Sequence, residues 1–130
     1  MPITYSFDPS LRLIETVVLG KISSTDVRDH LERVQGEPWF PAPAMVDTRG
    51  ASADMPSHEV RAIVDLLGNL ASRLRATPIA VLVPSDIAYG LVRMISLLLE
   101  DRLSIMPFRD ATHAMSWLQQ GVHDTLPPVV

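Results

Sequence analysis

The segment of residues 79–118 constrains the fold more than any other, because it alternates a strand pattern with a helix pattern twice. Ile79–Val83 is an uninterrupted apolar run, typical of a central strand covered on both faces. Ser85 begins a long apolar helix, Ser104–Phe108 is the next strand, and Asp110 begins a last helix. This alternation predicts an α/β fold with a mostly parallel sheet.

The N-terminal part predicts an antiparallel hairpin followed by a helix. Residues 3–7 and 11–19 are two strand candidates, and the turn-forming sequence at Asp8 separates them. Ser23 and Asp26 have the spacing of a reciprocal helix cap, in which each side chain accepts from the other residue's backbone N–H. The sheet is therefore predicted to be mixed, with one antiparallel pair at its start.

The middle of the chain predicts a short strand, a loop and a helix. Ala44–Asp47 is a short apolar strand, and residues 48–56 form a polar loop. Ser57 is the predicted cap of the helix that follows, whose apolar residues recur at helical spacing. The predicted order of elements is β-β-α-β-α-β-α-β-α.

One domain accounts for nearly the whole chain. A length of 130 residues is enough for one apolar core. Gly121 is well placed to end the last helix, so the domain is predicted to span residues 1–121. Residues 122–130 contain two prolines and are predicted to form an irregular tail.

The composition excludes several classes of protein. The absence of cysteine rules out thiol catalysis, disulfides and zinc–thiolate sites. A net charge of -4 argues against nucleic-acid binding, which normally needs a basic surface. The N-terminal sequence lacks the pattern of a signal peptide, and no apolar run approaches the ~20 residues of a membrane span. We therefore expect a cytoplasmic protein.

Four short sequences in this order carry a resemblance to a known family: GKISSTD at 20–26, MVD at 45–47, IAVLV at 79–83 and AMSWL at 114–118. The chain resembles the STAS-like family of small bacterial domains, whose fold is shared with the anti-sigma-factor antagonists. The resemblance implies a single-domain α/β sandwich, and it indicates a fold more than an activity. The leading interpretation, a non-enzymatic interaction or regulatory module, comes instead from the absence of a catalytic motif and from the apolar third helix. Related domains of the superfamily are grouped with CRAL-TRIO-type lipid carriers, which implies a carrier as the alternative.

The resemblance also implies a position for a phospho-acceptor. In anti-sigma-factor antagonists a phosphorylated serine begins the helix after the strand that here ends near Asp47. The matching position is near Ser57, with Ser52 as the other candidate. The Asp-Ser-Ser-Gly-type sequence of those proteins is replaced here by residues 54–57, DMPS.

Charged and hydroxyl side chains follow three of the predicted strands. Because parallel strands end at one edge of the sheet, where α/β folds usually bind ligands, these side chains form a candidate anion site. The candidate ligand-binding residues are Asp47, Arg49, Ser85, Asp86 and Arg109. The alternative is that Ser85 and Asp86 are helix caps, each worth about 1 kcal/mol, and that Asp47 and Arg49 pair locally.

The sequence contains no catalytic or metal-binding motif. None of the four histidines pairs with another at metal-ligand spacing, and there is no G-x-S-x-G sequence or Gly-rich phosphate loop. We therefore expect no metal, no cofactor and no enzymatic activity. An uncharacterised enzyme that uses the polar edge residues remains a distant alternative.

The third helix is more apolar than its position requires. Projected at ~100° per residue, its apolar side chains cover roughly 220° of its circumference, against the ≳100° stripe of an ordinary sheet-covering helix. Gly90, Met94 and Leu97 lie in this arc. The arc needs a second covering surface, which is another part of the same chain, a second copy, or a lipid-like ligand. The leading interpretation is a homodimer or other protein partner through these residues.

Overall fold

The computed structural model describes residues 2–52, 54–74 and 77–125, which form five strands and four helices in the predicted order. The elements are β1 (Ile3–Asp8), β2 (Leu13–Gly20), α1 (Ser24–Gln35), β3 (Ala44–Ala51), α2 (Ser57–Leu74), β4 (Pro78–Leu82), α3 (Asp86–Leu98), β5 (Ser104–Phe108) and α4 (Ala111–Thr125).

The five strands form one sheet in the order β1-β2-β3-β4-β5. β1 and β2 are antiparallel and the other neighbours are parallel, so the predicted mixed sheet with an N-terminal hairpin is confirmed. In the hairpin turn, Asp8 Oδ1 accepts from the backbone N–H groups of Ser10 at 2.9 Å and Leu11 at 3.2 Å. The Asp8 side chain thus satisfies backbone N–H groups of the turn that the β1–β2 hydrogen bonds leave without a partner.

Strand β3 is longer than its sequence predicts. Residues 48–51, predicted to be part of a loop, continue the strand and pair with the end of β2. The register of the β2–β3 pair shifts between Val17 and Leu19. Beyond this shift, Leu19 pairs with Gly50 and Gly20 pairs with Ala51. The polar composition of residues 48–51 indicated a loop, but main-chain pairing with β2 holds them in a strand.

The start of α1 has its predicted cap, whereas the predicted cap of α2 was off by one residue. Ser23 and Asp26 form the predicted capping box at the start of α1. Ser57 is the first residue of α2 rather than its cap, because the carbonyl oxygen of Pro56 accepts from the N–H of Val60 at 3.2 Å. Pro56 is therefore the capping residue, one position before the predicted one.

Helix α4 does not end at Gly121 as predicted. It continues through this residue to Thr125, so the first four residues of the predicted irregular tail are helical. A single glycine costs only about 1 kcal/mol within a helix, which neighbouring residues can offset. Residues 126–130 of the predicted tail lie outside the described residues.

The two faces of the sheet are covered differently. On one face α4 packs closely on β4, with Ala114 at 0% exposed and Leu118 at 2%. On the other face the partners come from α1, α2 and α3, whose C-terminal halves form one cluster around Leu70, Ile95 and Leu99. The sandwich therefore has one helix on one face and three on the other.

Two aromatic side chains close one margin of the three-helix face. The Trp39 ring stacks on Phe7 with centroids 4.7 Å apart, and Phe40 packs against the buried side chains beside α1.

In the part of the chain that the structure describes, no helix combines the length and apolarity needed to cross a membrane.

Candidate functional site

An apolar cavity of ≈ 260 Å³, partly open to solvent, lies on the three-helix face of the sheet. Thr16, Val46 and Val81 are register neighbours on β2, β3 and β4, and all three line the cavity. The opposite wall comes from α1 and α2, through Val27, Leu31, Ile63 and Leu67. The cavity therefore lies between the two layers of the sandwich.

The cavity exists because α2 stands away from the sheet. The backbone of α2 packs mainly on α1, whereas α4 lies directly against β4 on the other face. The inward side chains of α2, including Val60, Ile63 and Leu67, are only partly buried. Protein interiors seldom contain voids larger than a water molecule, so a space of this size is a candidate ligand site.

The size of the cavity limits its occupant. An engineered apolar cavity of ~150 Å³ holds benzene, with six carbon atoms. Scaled to ≈ 260 Å³, the cavity has room for about ten non-hydrogen atoms. Ile22 follows β2 and Met55 precedes α2, and both line the cavity, which therefore reaches the edge where the parallel strands end.

Polar atoms are scarce in the wall. Among the described residues that line the cavity, three carry polar side-chain atoms: Thr16, His30 and Thr48. The hydroxyl of Thr48 is already used, since it donates to the carbonyl oxygen of Leu82 at 2.6 Å. Thr16, at 3% exposed, and His30 are therefore the polar side chains left to meet a ligand.

His30 is an unusual residue in this wall. Among the described residues, its Nδ1 is the buried side-chain polar atom without a hydrogen-bond partner. Its ring contacts Tyr5 edge-on with centroids 5.4 Å apart. Burial, assisted by the positive charge of Arg33, lowers the pKa of His30 from 6.5 to about 4. The imidazole is therefore neutral near pH 7, with a ring nitrogen left without a partner.

Asp47 and Arg49, two of the predicted anion-site residues, bind each other. Both lie within β3 rather than after it, and the Arg49 guanidinium donates to the Asp47 carboxylate from Nε at 3.0 Å and Nη2 at 2.9 Å. This pair lowers the pKa of Asp47 and raises that of Arg49. An anionic ligand would have to compete with this bidentate contact.

Ser85, Asp86 and Arg109 meet at the end of β4 and β5. The Ser85 hydroxyl caps α3 by accepting from the backbone N–H of Ala88 at 3.1 Å. Arg109 binds the carboxylate of Asp86 and donates to the carbonyl oxygen of Pro84 at 3.3 Å. The structure brings these three residues together, and no contact joins them to the Asp47–Arg49 pair among the described hydrogen bonds and ion pairs.

Asp110 completes the polar edge as the cap of α4. Its carboxylate accepts from the backbone N–H of His113 at 2.9 Å, which lowers the pKa of Asp110. A surface groove of ≈ 420 Å³ beside it is lined by Phe108, Arg109 and Trp117 and is open to solvent. Across the described ranges no three histidine, aspartate or glutamate side chains converge as metal ligands.

Ser57, the residue that the resemblance marks as a phospho-acceptor, is exposed at the first position of α2. Two residues further along α2, the Glu59 carboxylate accepts from the backbone N–H of Ser24 at 2.6 Å, which lowers the pKa of Glu59. Exposure at a helix start is compatible with phosphorylation, which stays a prediction.

The outer side of α3 is uncovered by the described part of the chain. Met94 is 46% exposed and Leu97 is 51% exposed, and Gly90 has open space on its outer side. Ile87 and Leu98 extend the same apolar surface. The inner side of the helix is occupied, because Leu91 and Ile95 line the cavity and the core. The predicted interface residues thus form an exposed apolar surface.

Neither the cavity nor the buried position of His30 was predicted from the sequence. A signal was present: His30 stands between Val27, Leu31 and Val34, so it occupies an inward position in the apolar stripe of α1. A histidine in such a stripe indicates a buried polar group whose partner must be found. The distance between the layers, which makes the cavity, has no comparable signal in the sequence.

Comparisons with known proteins support the fold. No family model and no curated protein matches the chain. Among solved structures, it is similar to an uncharacterized protein of Shewanella loihica, from the DUF3478 family, with a SpoIIAA-like fold. The identity is 14%, the TM-score is 0.63, and the match covers 89% of this chain and 93% of that one. The chain therefore has the STAS-like, SpoIIAA-like fold that its sequence predicts.

Proposed function

We propose that this protein is a non-enzymatic regulatory module that binds a small apolar molecule between its sheet and its helices. The observation that carries the proposal is the ≈ 260 Å³ cavity, in which all but three of the described lining residues are apolar. A space with so few polar partners holds ordered water poorly, so an apolar molecule is its natural occupant. The ligand would work as a cargo or as a signal.

The state of the polar edge supports a non-enzymatic role. Asp47 and Arg49 bind each other, as do Asp86 and Arg109, and Ser85 caps a helix. A catalytic group must be free to exchange a proton or to contact a substrate, whereas these side chains are held by structural partners. An acidic ligand at this edge would first have to open one of the ion pairs.

Binding is tested with 1-chlorooctane, an apolar probe of nine non-hydrogen atoms that matches the cavity volume. We expect saturable changes in the amide NMR signals of α1, α2 and β3, with a Kd on the order of 10–1000 µM. Ala114 and Leu118 lie on the other face and serve as internal controls whose signals stay in place.

The matched variant is Val46→Phe, which fills the middle of the cavity floor. It should abolish the saturable changes, while Leu11→Ala, at an exposed turn residue, should leave them intact. Native mass spectrometry of freshly purified protein gives an independent reading, since a co-purifying molecule lost on Val46→Phe supports the same site. Absence of any saturable binding to wild-type protein would refute the proposal.

A second candidate function, assembly into a homodimer, is favoured by the exposed surface of α3. Ile87 is 82% exposed and Leu98 is 62% exposed, beside Met94 and Leu97 on the same helix. Soluble monomers seldom expose such contiguous apolar surface. A twofold axis that places one α3 against its copy buries the same residues in both chains, as isologous interfaces do.

Sedimentation velocity over a range of micromolar concentrations tests the dimer. We expect a concentration-dependent dimer that Met94→Glu converts to monomer, because the substitution buries a charge in the interface. Leu11→Glu is the matched control, since Leu11 is equally exposed, at 50%, but lies on the hairpin turn. A strict monomer at every concentration excludes this assembly.

A further inference from the structure

The two halves of α2 are held differently. In its C-terminal half, Leu70 is 6% exposed, Ala71 8% and Leu74 7%, and all three belong to the core. On the inner side of its N-terminal half, Val60 and Ile63 line the cavity and are only partly buried. The first half of the helix therefore lies over a space, whereas the second half is anchored by close packing.

A glycine stands where the two halves meet. Gly68 follows Leu67, which lines the cavity, and comes two residues before Leu70, which lies in the core. The Arg102 side chain approaches the helix here, so that a Cβ atom on Gly68 would be 3.2 Å from Arg102 Nη1. Because glycine destabilises a helix interior, α2 is weakest at the boundary between its two halves.

A hydrogen bond ties the N-terminal end of α2 to α1. Glu59 Oε2 accepts from the backbone N–H of Ser24 at 2.6 Å. Ser24 is the first residue of α1, so its N–H has no acceptor within its own helix. Ile22, two residues before Ser24, and Val60, next to Glu59, both line the cavity. The hydrogen bond therefore lies beside the cavity.

We propose that the N-terminal half of α2, residues 57–67, is a lid that swings about Gly68 to admit the ligand, and that the hydrogen bond between Glu59 and Ser24 is the latch that holds the lid closed. This rests on the proposed function. The latch is present in the closed protein with or without a ligand inside. It therefore sets the rate of ligand exchange rather than the affinity.

Ser24→Pro removes the latch donor and leaves the sequence of the lid unchanged. Proline is favoured at the first position of a helix, and Ser23 before it has φ -116° and ψ 168°, the extended backbone that a residue before proline adopts. Ala111→Pro is the matched control, because it makes the same change at the first position of α4, on the other face of the sheet.

Native-state hydrogen exchange reads the opening of the lid without any ligand. In wild-type protein the amides of residues 61–67 should exchange faster than those of residues 70–74. We expect Ser24→Pro to speed exchange of residues 61–67 about fivefold, with residues 70–74 unchanged, because a hydrogen bond that holds the closed lid is lost. Ala111→Pro should leave both groups of amides unchanged.

Gly68→Ala tests the hinge in the opposite direction. Alanine strengthens the helix at the boundary, and the exposed Arg102 side chain can move away from the added methyl group. We expect exchange of residues 61–67 to slow about fivefold. Equal exchange rates along the whole of α2 in wild-type protein, or an unchanged pattern in either variant, would overturn the lid.

Ligand kinetics separate the lid from the site. With 1-chlorooctane as the probe, NMR exchange measurements should show that Ser24→Pro raises the association and dissociation rates about fivefold, while the Kd changes less than about twofold. If 1-chlorooctane binds but its rates are the same in Ser24→Pro and wild-type protein, it enters by another path, and this inference is overturned while the site stands. If 1-chlorooctane does not bind wild-type protein, the proposed function fails, and hydrogen exchange still decides whether the lid opens.

Discussion

Val46→Phe tests the cavity sharply. The substitution should stabilise the protein if the space around Val46 is empty and destabilise it if that space is already filled. Val46 is a partly buried residue of the central strand, and its register neighbours Thr16 and Val81 line the same ≈ 260 Å³ space. Phenylalanine has four more side-chain carbon atoms than valine. In an empty space these atoms leave water without displacing a neighbour, so the substitution should stabilise the protein.

The expected magnitude follows from the buried area. Roughly 60 Å² of additional apolar surface at ~25 cal/mol per Å² contributes about 1.5 kcal/mol. Fixing the larger side chain in one rotamer costs about 0.5 kcal/mol. The free energy of unfolding should therefore rise by about 1 kcal/mol, which corresponds to a Tm increase of about 4 °C for a domain of this size.

Urea denaturation of wild-type protein and two variants is the assay. Val83→Phe is the matched control, because Val83 follows β4 on the same face but is 1% exposed and lies outside the cavity wall. Overpacking there should cost about 1–3 kcal/mol, with similar m-values in all three proteins. If Val46→Phe lowers the urea midpoint as much as Val83→Phe does, the helices close onto the sheet in solution and the reasoning fails.

Three further predictions concern residues outside this comparison. As pH falls from 6.5 towards the native pKa of about 4, the unfolded chain protonates His30 first, so this residue should lower the free energy of unfolding by about 1–2 kcal/mol after allowance for partial exposure. Urea titrations should show a shallower slope in His30→Phe, with the contribution of the carboxylates left in place. Ser23→Ala removes half of the α1 capping box and should cost about 1 kcal/mol in the same assay, and an unchanged midpoint would contradict the cap. Ala114→Leu should cost about 1–3 kcal/mol by thermal unfolding, because Ala114 is 0% exposed where α4 touches β4, and a stabilised variant would mean that this face is also loose.

The fold was predictable because most of its signals are local. The capping box at Ser23, the turn at Asp8 and the apolar run at Ile79–Val83 each specify their element within a few residues. The end of β3 was not predictable in this way. Residues 48–51 are a strand because β2 continues beside them after a shift of register, which is a contact between distant parts of the chain.

The candidate site was less predictable than the fold. The sequence indicated polar residues at the strand ends, and Asp86 and Arg109 do meet there, but as an ion pair. It also indicated the apolar outer side of α3, and Met94 is exposed as that interpretation requires. The cavity depends on how far α2 stands from the sheet, and apolar spacing predicts which residues face inward but not how closely they pack.

The strand order of the sheet has a further consequence for how such a protein acquires binding specificity. Each step from β2 to β5 moves to the adjacent strand in the same direction, so right-handed crossovers place α1, α2 and α3 on one face. The described sheet therefore lacks the topological switch point, where crossovers diverge and leave a crevice lined by variable loops. A ligand in the proposed cavity would instead contact core residues, so substitutions that change its selectivity would also change the folding free energy.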